Sequence, residues 1–316
     1  MSNALDKFTF SRFTFELRAK ETLSLPPYKG STLRGAFGHA FKSVVCIKRD
    51  RECSTCLVRG TCVYMYVFET PLPGGASLMT KYTHAPHPFV LCPPLGEKTA
   101  YSPGESLSFG LTLIGKALPY LPYFIYAFER MGERGLGKDR GAFSFSRVLN
   151  GHGVLYDEDT KILKYSPPLT LGDILPHAST IVQGIRLTFL TPTRLKYIEK
   201  LTGEPEFHII IRNLLRRLSI LSYFHCGEEF AIDFKALIRR AEGVKMTEHD
   251  FQWVDWERYS SRQGIRMKMG GFMGTVTYEG DLTEFLPFLT LGQYVHVGKG
   301  TSFGLGHYQL KRREEQ

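Results

Sequence analysis

Residues 295–310, VHVGKGTSFGLGHYQL, set glycines at 298, 300, 304 and 306 between an apolar segment and a strand-like end. Glycine spacing of this kind invites a dinucleotide-binding reading. That reading needs a helix opening after the glycines and an acidic residue about 20 positions on, whereas Gly306 runs into the strand-like His307-Tyr308-Gln309-Leu310. A phosphate-binding Walker loop fails too, because Lys299 lies inside the run and Gly306 is followed by histidine. Two readings stay open. The loop can offer backbone N–H groups and Lys299 to phosphates, its missing Cβ atoms letting a nucleic-acid backbone come close. Or it is a packing turn at a helix–strand junction.

Working outward, the loop has a counterpart. FLPFLTLG at 285–292 precedes Gly304-Leu305-Gly306 and HYQL; LPYLPYF at 118–124 precedes Gly135-Leu136-Gly137 and the strand-like FSFSRV at 143–148. Each half thus ends as helix, glycine turn and strand. A strand is expected over 8–20 and a helix over 31–45, capped by Ser31 or Thr32. In that helix Leu33, Phe37, Ala40, Phe41 and Val44 share one face, while Gly35, His39 and Lys42 fall opposite. Strand-like runs follow at 64–69, 89–92 and 107–114, then a helix at 121–131 and a hairpin at 153–165 turning through Asp157-Glu158-Asp159. The second half offers a strand at 184–190, a helix over 206–225, strands at 267–269 and 274–278, and a short helix at 282–289. The order βαββαβ, met twice, predicts an α+β chain of tandem ferredoxin-like (RRM-like) domains, over 1–182 and 183–316.

Composition narrows the partners. Lys+Arg 40 against Asp+Glu 31 leaves a formal charge of +9, which suits a polyanion, nucleic acid or acidic membrane. With 43% hydrophobic and 22% charged residues, the chain is far from disordered composition. Its least polar stretch, 118–128, is interrupted by Pro119 and Pro122, so no spanning helix and no membrane partner are expected. The charged N-terminus lacks the apolar core of a signal peptide, and a cytoplasmic location is expected.

In that reducing setting the cysteines read as ligands before disulfides. Cys46, Cys53, Cys56 and Cys62 crowd into CIKRDRECSTCLVRGTC among Lys48, Arg49, Arg51 and Arg59, and Cys92 and Cys226 stand alone. Four thiolates suit a structural Zn²⁺ pinning an inserted loop. An iron–sulfur cluster takes the same set, and four unliganded thiols are the plain alternative.

The combination LRGAFGHAF at 33–41, the cysteine run, GLGKDRG at 135–141, TPTRLK at 191–196, DWERYSSRQ at 255–263 and the C-terminal glycine loop resembles a known family. It is similar to the CRISPR-associated repeat-RNA-processing endoribonucleases, the Cas-six group of the RAMP superfamily, in a branch carrying the cysteine cluster. The resemblance implies two ferredoxin-like domains, binding of CRISPR repeat RNA and metal-independent cutting of its precursor, with no catalytic cofactor. Other CRISPR effector subunits are further expected partners. The alternative is a non-catalytic subunit holding guide RNA. Attack by the 2′-OH on phosphorus would leave a 2′,3′-cyclic phosphate and a 5′-OH. The family's histidine, lysine and tyrosine map onto His39, Lys42 and Tyr28, with His296 as the alternative. His296 is read on a strand with Tyr294, opposite Val295 and Val297. Expected RNA contacts are Arg34, Arg194, Lys196, Lys299, the loop glycines Gly298, Gly300, Gly304 and Gly306, and a face shared by Arg258, Arg262, Arg266 and Lys268 with Tyr259 beside it. A stripe of Arg212, Arg216 and Arg217 ranks lower, because a charged helix face is usually just solvated.

Overall fold

A computed structural model of the chain describes residues 5–48, 52–72, 84–175, 181–260 and 264–313, with backbone alone at 259 and 260. Arg49, Arg51 and Arg262 lie outside these residues. Contacts divide the chain into two compact units: residues 9–168 with 224–226, and 169–223 with 227 onward and the start as far as Phe8. The sequence reading puts the division at 182/183.

In the first unit, β1 (Phe10–Ala19) sends Phe13, Phe15, Leu17 and Ala19 inward at the period of two that a half-buried strand requires. Next come α1 (Gly30–Val45), β2 (Phe89–Cys92), β3 (Ser106–Ile114), α2 (Leu121–Arg134), β4 (Phe143–Asn150) and β5 (Gly153–Asp157). The sheet runs β2-β3-β1-β4-β5, every pairing antiparallel. Both helices cover one face through phenylalanines: Phe128 lies 4.8 Å from Phe15, 4.9 Å from Phe109 and 4.7 Å from Phe37, ring to ring. Emptying so central a site, as in Phe128→Ala, costs about 3–5 kcal/mol.

The second unit repeats the plan. β6 (Gly184–Thr193) is followed by a small hairpin, β7 (Leu195–Tyr197) and β8 (Lys200–Thr202), then α3 (Phe207–Leu221) and α4 (Phe234–Ala241). β9 (Lys245–Val254), the hairpin β10 (Glu257–Ser260) and β11 (Ile265–Lys268), β12 (Gly271–Glu279), α5 (Leu286–Val295) and β13 (Tyr308–Arg312) complete it. Its main sheet is β9-β12-β6-β13. Without β5 the two sheets have the same order, second-third-first-fourth strand, which is the ferredoxin-like arrangement. The tandem α+β fold expected from the sequence is therefore present.

Local readings needed correction. Residues 65–69 form a helical turn rather than a strand, with Tyr66 N–H donating to Cys62 O at 3.0 Å. Over so few residues, period two and period 3.6 cannot be told apart. The expected 153–165 hairpin is not one: β5 pairs back on β4 (Asn150↔Gly153), and beyond Asp157 the turn is closed by Lys161 N–H to Asp157 O at 2.9 Å and Lys164 N–H to Leu155 O at 2.8 Å, without a second strand. The last helix runs on to Val295, and α4 and β9 have no counterpart in the sequence reading.

Candidate nucleic-acid interface

Helix α1 buries Leu33, Phe37, Ala40 and Phe41 and leaves His39 exposed on the opposite side, as its periodicity requires. Among the described residues the His39 imidazole has no hydrogen-bond or ion-pair partner, so both nitrogens are available. Lys42 stands three residues on, one turn away on the same face. Its ammonium lies 5.5 Å from the centre of the Tyr64 ring, which stacks on Phe68 at 5.1 Å. Gly35 sits one turn before His39 with nothing within 4 Å of a Cβ placed on it. This face thus presents a proton-transfer group and a cation side by side beside open space.

The other expected members are held elsewhere. Tyr28 precedes α1, and nine residues from Gly30 to His39 make about 14 Å of helix axis. The expected tyrosine therefore stands ahead of the helix, while His39 and Lys42 share one face of it. Burial, with the Cys92 sulfur adding to it, raises the Tyr28 pKa, so its phenol keeps its proton. Arg34 lies over Phe68, 5.0 Å from the ring centre, and its Nη2 is 3.3 Å from His87 Nε2. Lys29, unremarked in the sequence, is buried at the start of the helix and donates to Pro27 O and Gly96 O, both at 3.0 Å; burial lowers its pKa.

In the second unit the glycine loop begins at His296, with φ 59° directly after α5 rather than on a strand. His296 is fully buried. Its Nδ1 lies 3.1 Å from Leu305 O, and a carbonyl can only accept, so Nδ1 carries the proton. The ring stacks on His307 at 4.7 Å. The glycines answer to internal packing. Gly298 has φ 84° and Gly306 has φ 75°; a Cβ would come within 2.5 Å of Arg194 O at the first and 1.8 Å of Val297 O at the second. Thr191 Oγ1 donates to Gly304 O at 2.8 Å, fastening the loop to β6. The side chain the loop leaves exposed is Lys299, whose N–H donates to Arg194 O at 3.1 Å. Lys196 pairs with the Glu199 carboxylate, and Lys299 and Arg216 are near enough to help hold that carboxyl below its ordinary pKa. Three cations therefore gather beside the glycine loop around one exposed acid.

Comparison with known proteins places this geometry. A family model for an N-terminal domain, AF_1859_N, matches residues 8–168, about half of the chain. The model for the CRISPR-associated endoribonuclease Cas6 matches residues 187–308. The chain belongs to the AF_1859_N family, and its second half carries a Cas6 domain. An uncharacterized protein of Archaeoglobus fulgidus is 26% identical over 297 residues, covering 91% of this chain and 93% of its own. In fold, a Cas6 product complex is similar with TM-score 0.58 at 17% identity, over 96% of this chain and 100% of that one. Thermus thermophilus Cas6 gives 0.56 at 16% identity, over 96% and 99%. A partial Cas6-RT-Cas1–Cas2 complex gives 0.59 at 13%, over 98% of this chain and 47% of that chain.

Within the Cas6 domain the expected arginine face is corrected. Residues 257–268 fold back as the β10–β11 hairpin, pairing Arg258 with Met267 and Glu257 with Lys268. Directly opposite residues share a face, so Arg258 lies on the other side from Arg266 and Lys268. Arg266 and Lys268 are exposed. Arg258 turns inward, its guanidinium 4.3 Å from the ring centre of Phe303 in the glycine loop, and burial lowers its pKa. Arg194 donates from Nη1 to Gly270 O at 2.6 Å. Arg217 leaves the expected stripe altogether: it is buried, with Nε donating to Val295 O at 2.8 Å. Sequence reasoning ranks Arg216 low and passes over Glu199. Their proximity to Lys299 depends on how the β7–β8 hairpin meets α3, and no local motif carries that.

Proposed function

We propose that this chain binds CRISPR repeat RNA and cuts its precursor without a metal, leaving a 2′,3′-cyclic phosphate and a 5′-OH. The observation that carries the reading is His39, exposed and unpartnered on α1 with Lys42 one turn away. The neutral imidazole takes the proton of the attacking 2′-OH, acting as general base, and water protonates the departing 5′-oxygen to give the 5′-OH. The Lys42 ammonium faces the charge that grows on the phosphorane oxygens, where a fixed cation is worth most. Arg216, Lys299, Arg266 and Lys268, all exposed, and half-buried Lys196 supply cations for phosphates elsewhere along the RNA. Structural relatives described as a Cas6 product complex and as a Cas6-RT-Cas1–Cas2 complex support RNA and other CRISPR proteins as partners. Among the described residues no helix is long and apolar enough to cross a membrane. We place the activity in the cytoplasm, where the RNA is made.

One observation favours binding without cutting: Tyr28 is half-buried, keeps its proton and precedes α1, nine helical residues short of His39. Purified chain incubated with labelled repeat RNA, with and without EDTA, decides. Cleavage that survives EDTA and yields a 5′-OH downstream product is expected. Tight binding with no product would make the chain a guide-RNA holder, and cleavage abolished by EDTA and restored by Mg²⁺ or Mn²⁺ but not by Zn²⁺ would call for metal chemistry.

A further inference from the structure

Four thiols ring one cavity of about 250 Å³ beside the end of α1. Cys46 caps that helix, its N–H donating to Lys42 O at 2.9 Å. Cys53 opens a short turn that Cys56 closes, with Cys56 N–H 3.4 Å from Cys53 O. Cys62 follows a second such turn, and its carbonyl accepts from Tyr66 N–H at 3.0 Å. All four are half-buried and none is in a disulfide. Lys48, Tyr64 and Met65 also line the cavity; among the described residues no carboxylate or imidazole does. A hard ion such as Mg²⁺ or Ca²⁺ therefore finds no oxygen ligands from acids, whereas a thiophilic tetrahedral ion finds four sulfurs.

We infer that Cys46, Cys53, Cys56 and Cys62 bind one Zn²⁺, and that the ion fixes the C-terminal end of α1 and with it Lys42. The sulfurs now stand apart: among the described residues no three of them lie within 4.8 Å of one another. Zn–S bonds of about 2.3 Å put tetrahedral sulfurs about 3.8 Å apart, so binding draws the turns in around the ion. Four thiols release four protons, and the resulting Zn(S)₄ centre carries two negative charges in a cavity that Lys48 also lines. The link to Lys42 is short. Cys46 N–H bonds to the Lys42 carbonyl, and Tyr64, whose ring carries the Lys42 ammonium, lines the same cavity. None of this depends on RNA processing, so failure of that reading leaves it standing.

The test uses the full chain. Mercurial displacement into a chromogenic chelator is expected to release one zinc per chain, and at least tenfold less from Cys53→Ser/Cys56→Ser. Cys92→Ser/Cys226→Ser is expected to keep its zinc. Should the cluster variant fold poorly, Co²⁺ added to metal-stripped wild type gives an independent reading: intense visible bands and thiolate charge transfer of a tetrahedral sulfur site. Amide exchange over residues 43–46 is expected to slow at least tenfold when Zn²⁺ is restored. Metal-free wild type that gives no cobalt bands overturns the site. So does a brown chain carrying iron and sulfide, or undiminished zinc in the cluster variant. Exchange indifferent to Zn²⁺ overturns the hold on α1.

Discussion

At the scale of the residue, His39 and Tyr28 part company. One is exposed with both ring nitrogens available; the other is half-buried, and desolvation raises its pKa. General acid–base catalysis by one side chain contributes about 10²–10⁴-fold. His39→Ala is therefore expected to slow repeat-RNA cleavage by about that factor while binding, read by filter retention, stays within about twofold. Cleavage at the wild-type rate would remove His39 from the chemistry. Tyr28→Phe keeps the ring and loses the hydroxyl, and a group lying about 14 Å back along the helix has no part in the proton transfer. Its cleavage rate is expected to change by less than about threefold; a loss matching that of His39→Ala would return Tyr28 to the site.

At the scale of the element, two glycines with opposite reasons separate packing from access. Gly306→Ala forces a Cβ to within 1.8 Å of Val297 O at φ 75°. The left-handed backbone alone costs about 1–2 kcal/mol and the clash adds to it, so denaturant melts should show a loss of at least about 2 kcal/mol. Gly35→Ala meets nothing within 4 Å inside α1 and should gain about 0.5–1 kcal/mol. If the gain comes with lost cleavage, the space beside His39 is where RNA lies. Beside the glycine loop, Glu199 offsets part of the charge of Lys196, Lys299 and Arg216. Glu199→Gln should tighten RNA binding, and Lys299→Ala should weaken it and flatten the slope of log K against log salt by about 1. Equal slopes for wild type and Lys299→Ala would exclude a phosphate contact there. Legibility differs element by element for physical reasons. The face of α1 could be read because period 3.6 repeats over four turns, and β1 because phenylalanine and threonine crowd into it. The 65–69 turn was too short to show a period. The arginine face failed because parity counts along a strand, and the chain reverses between Arg258 and Arg266. Glu199 and Arg216 reach Lys299 only through tertiary packing, which leaves no trace in local spacing.

At the scale of the molecule, each unit holds tyrosines whose ionisation burial opposes. Burial raises the pKa of Tyr28 and Tyr66 in the first unit, and of Tyr278 and Tyr308 in the second. The hydroxyls of the last two donate to Pro205 O at 2.5 Å and Leu289 O at 2.7 Å, and both side chains are fully buried. In the unfolded chain a tyrosine loses its proton near pH 10. Below that pH both states are protonated and the stability from burial is fully present. Above it the unfolded chain sheds protons that the folded chain retains, so stability falls as pH rises. The slope is about 1.4 kcal/mol per pH unit for each such tyrosine, hence about 3 for Tyr278 and Tyr308 together. Against a domain stability of about 5–15 kcal/mol, the second unit should unfold cooperatively in strong alkali, well above pH 10. Tyrosinate absorbance would then rise in two stages, exposed rings near pH 10 and buried ones together with loss of the helical circular dichroism. Tyr308→Phe removes one titrating group and one hydrogen bond worth about 1 kcal/mol. It should be less stable at neutral pH yet lose stability more slowly above pH 10. Full tyrosinate absorbance reached near pH 10 with helical signal intact would show that these rings are not sealed, and with it that the two cores are not packed as described.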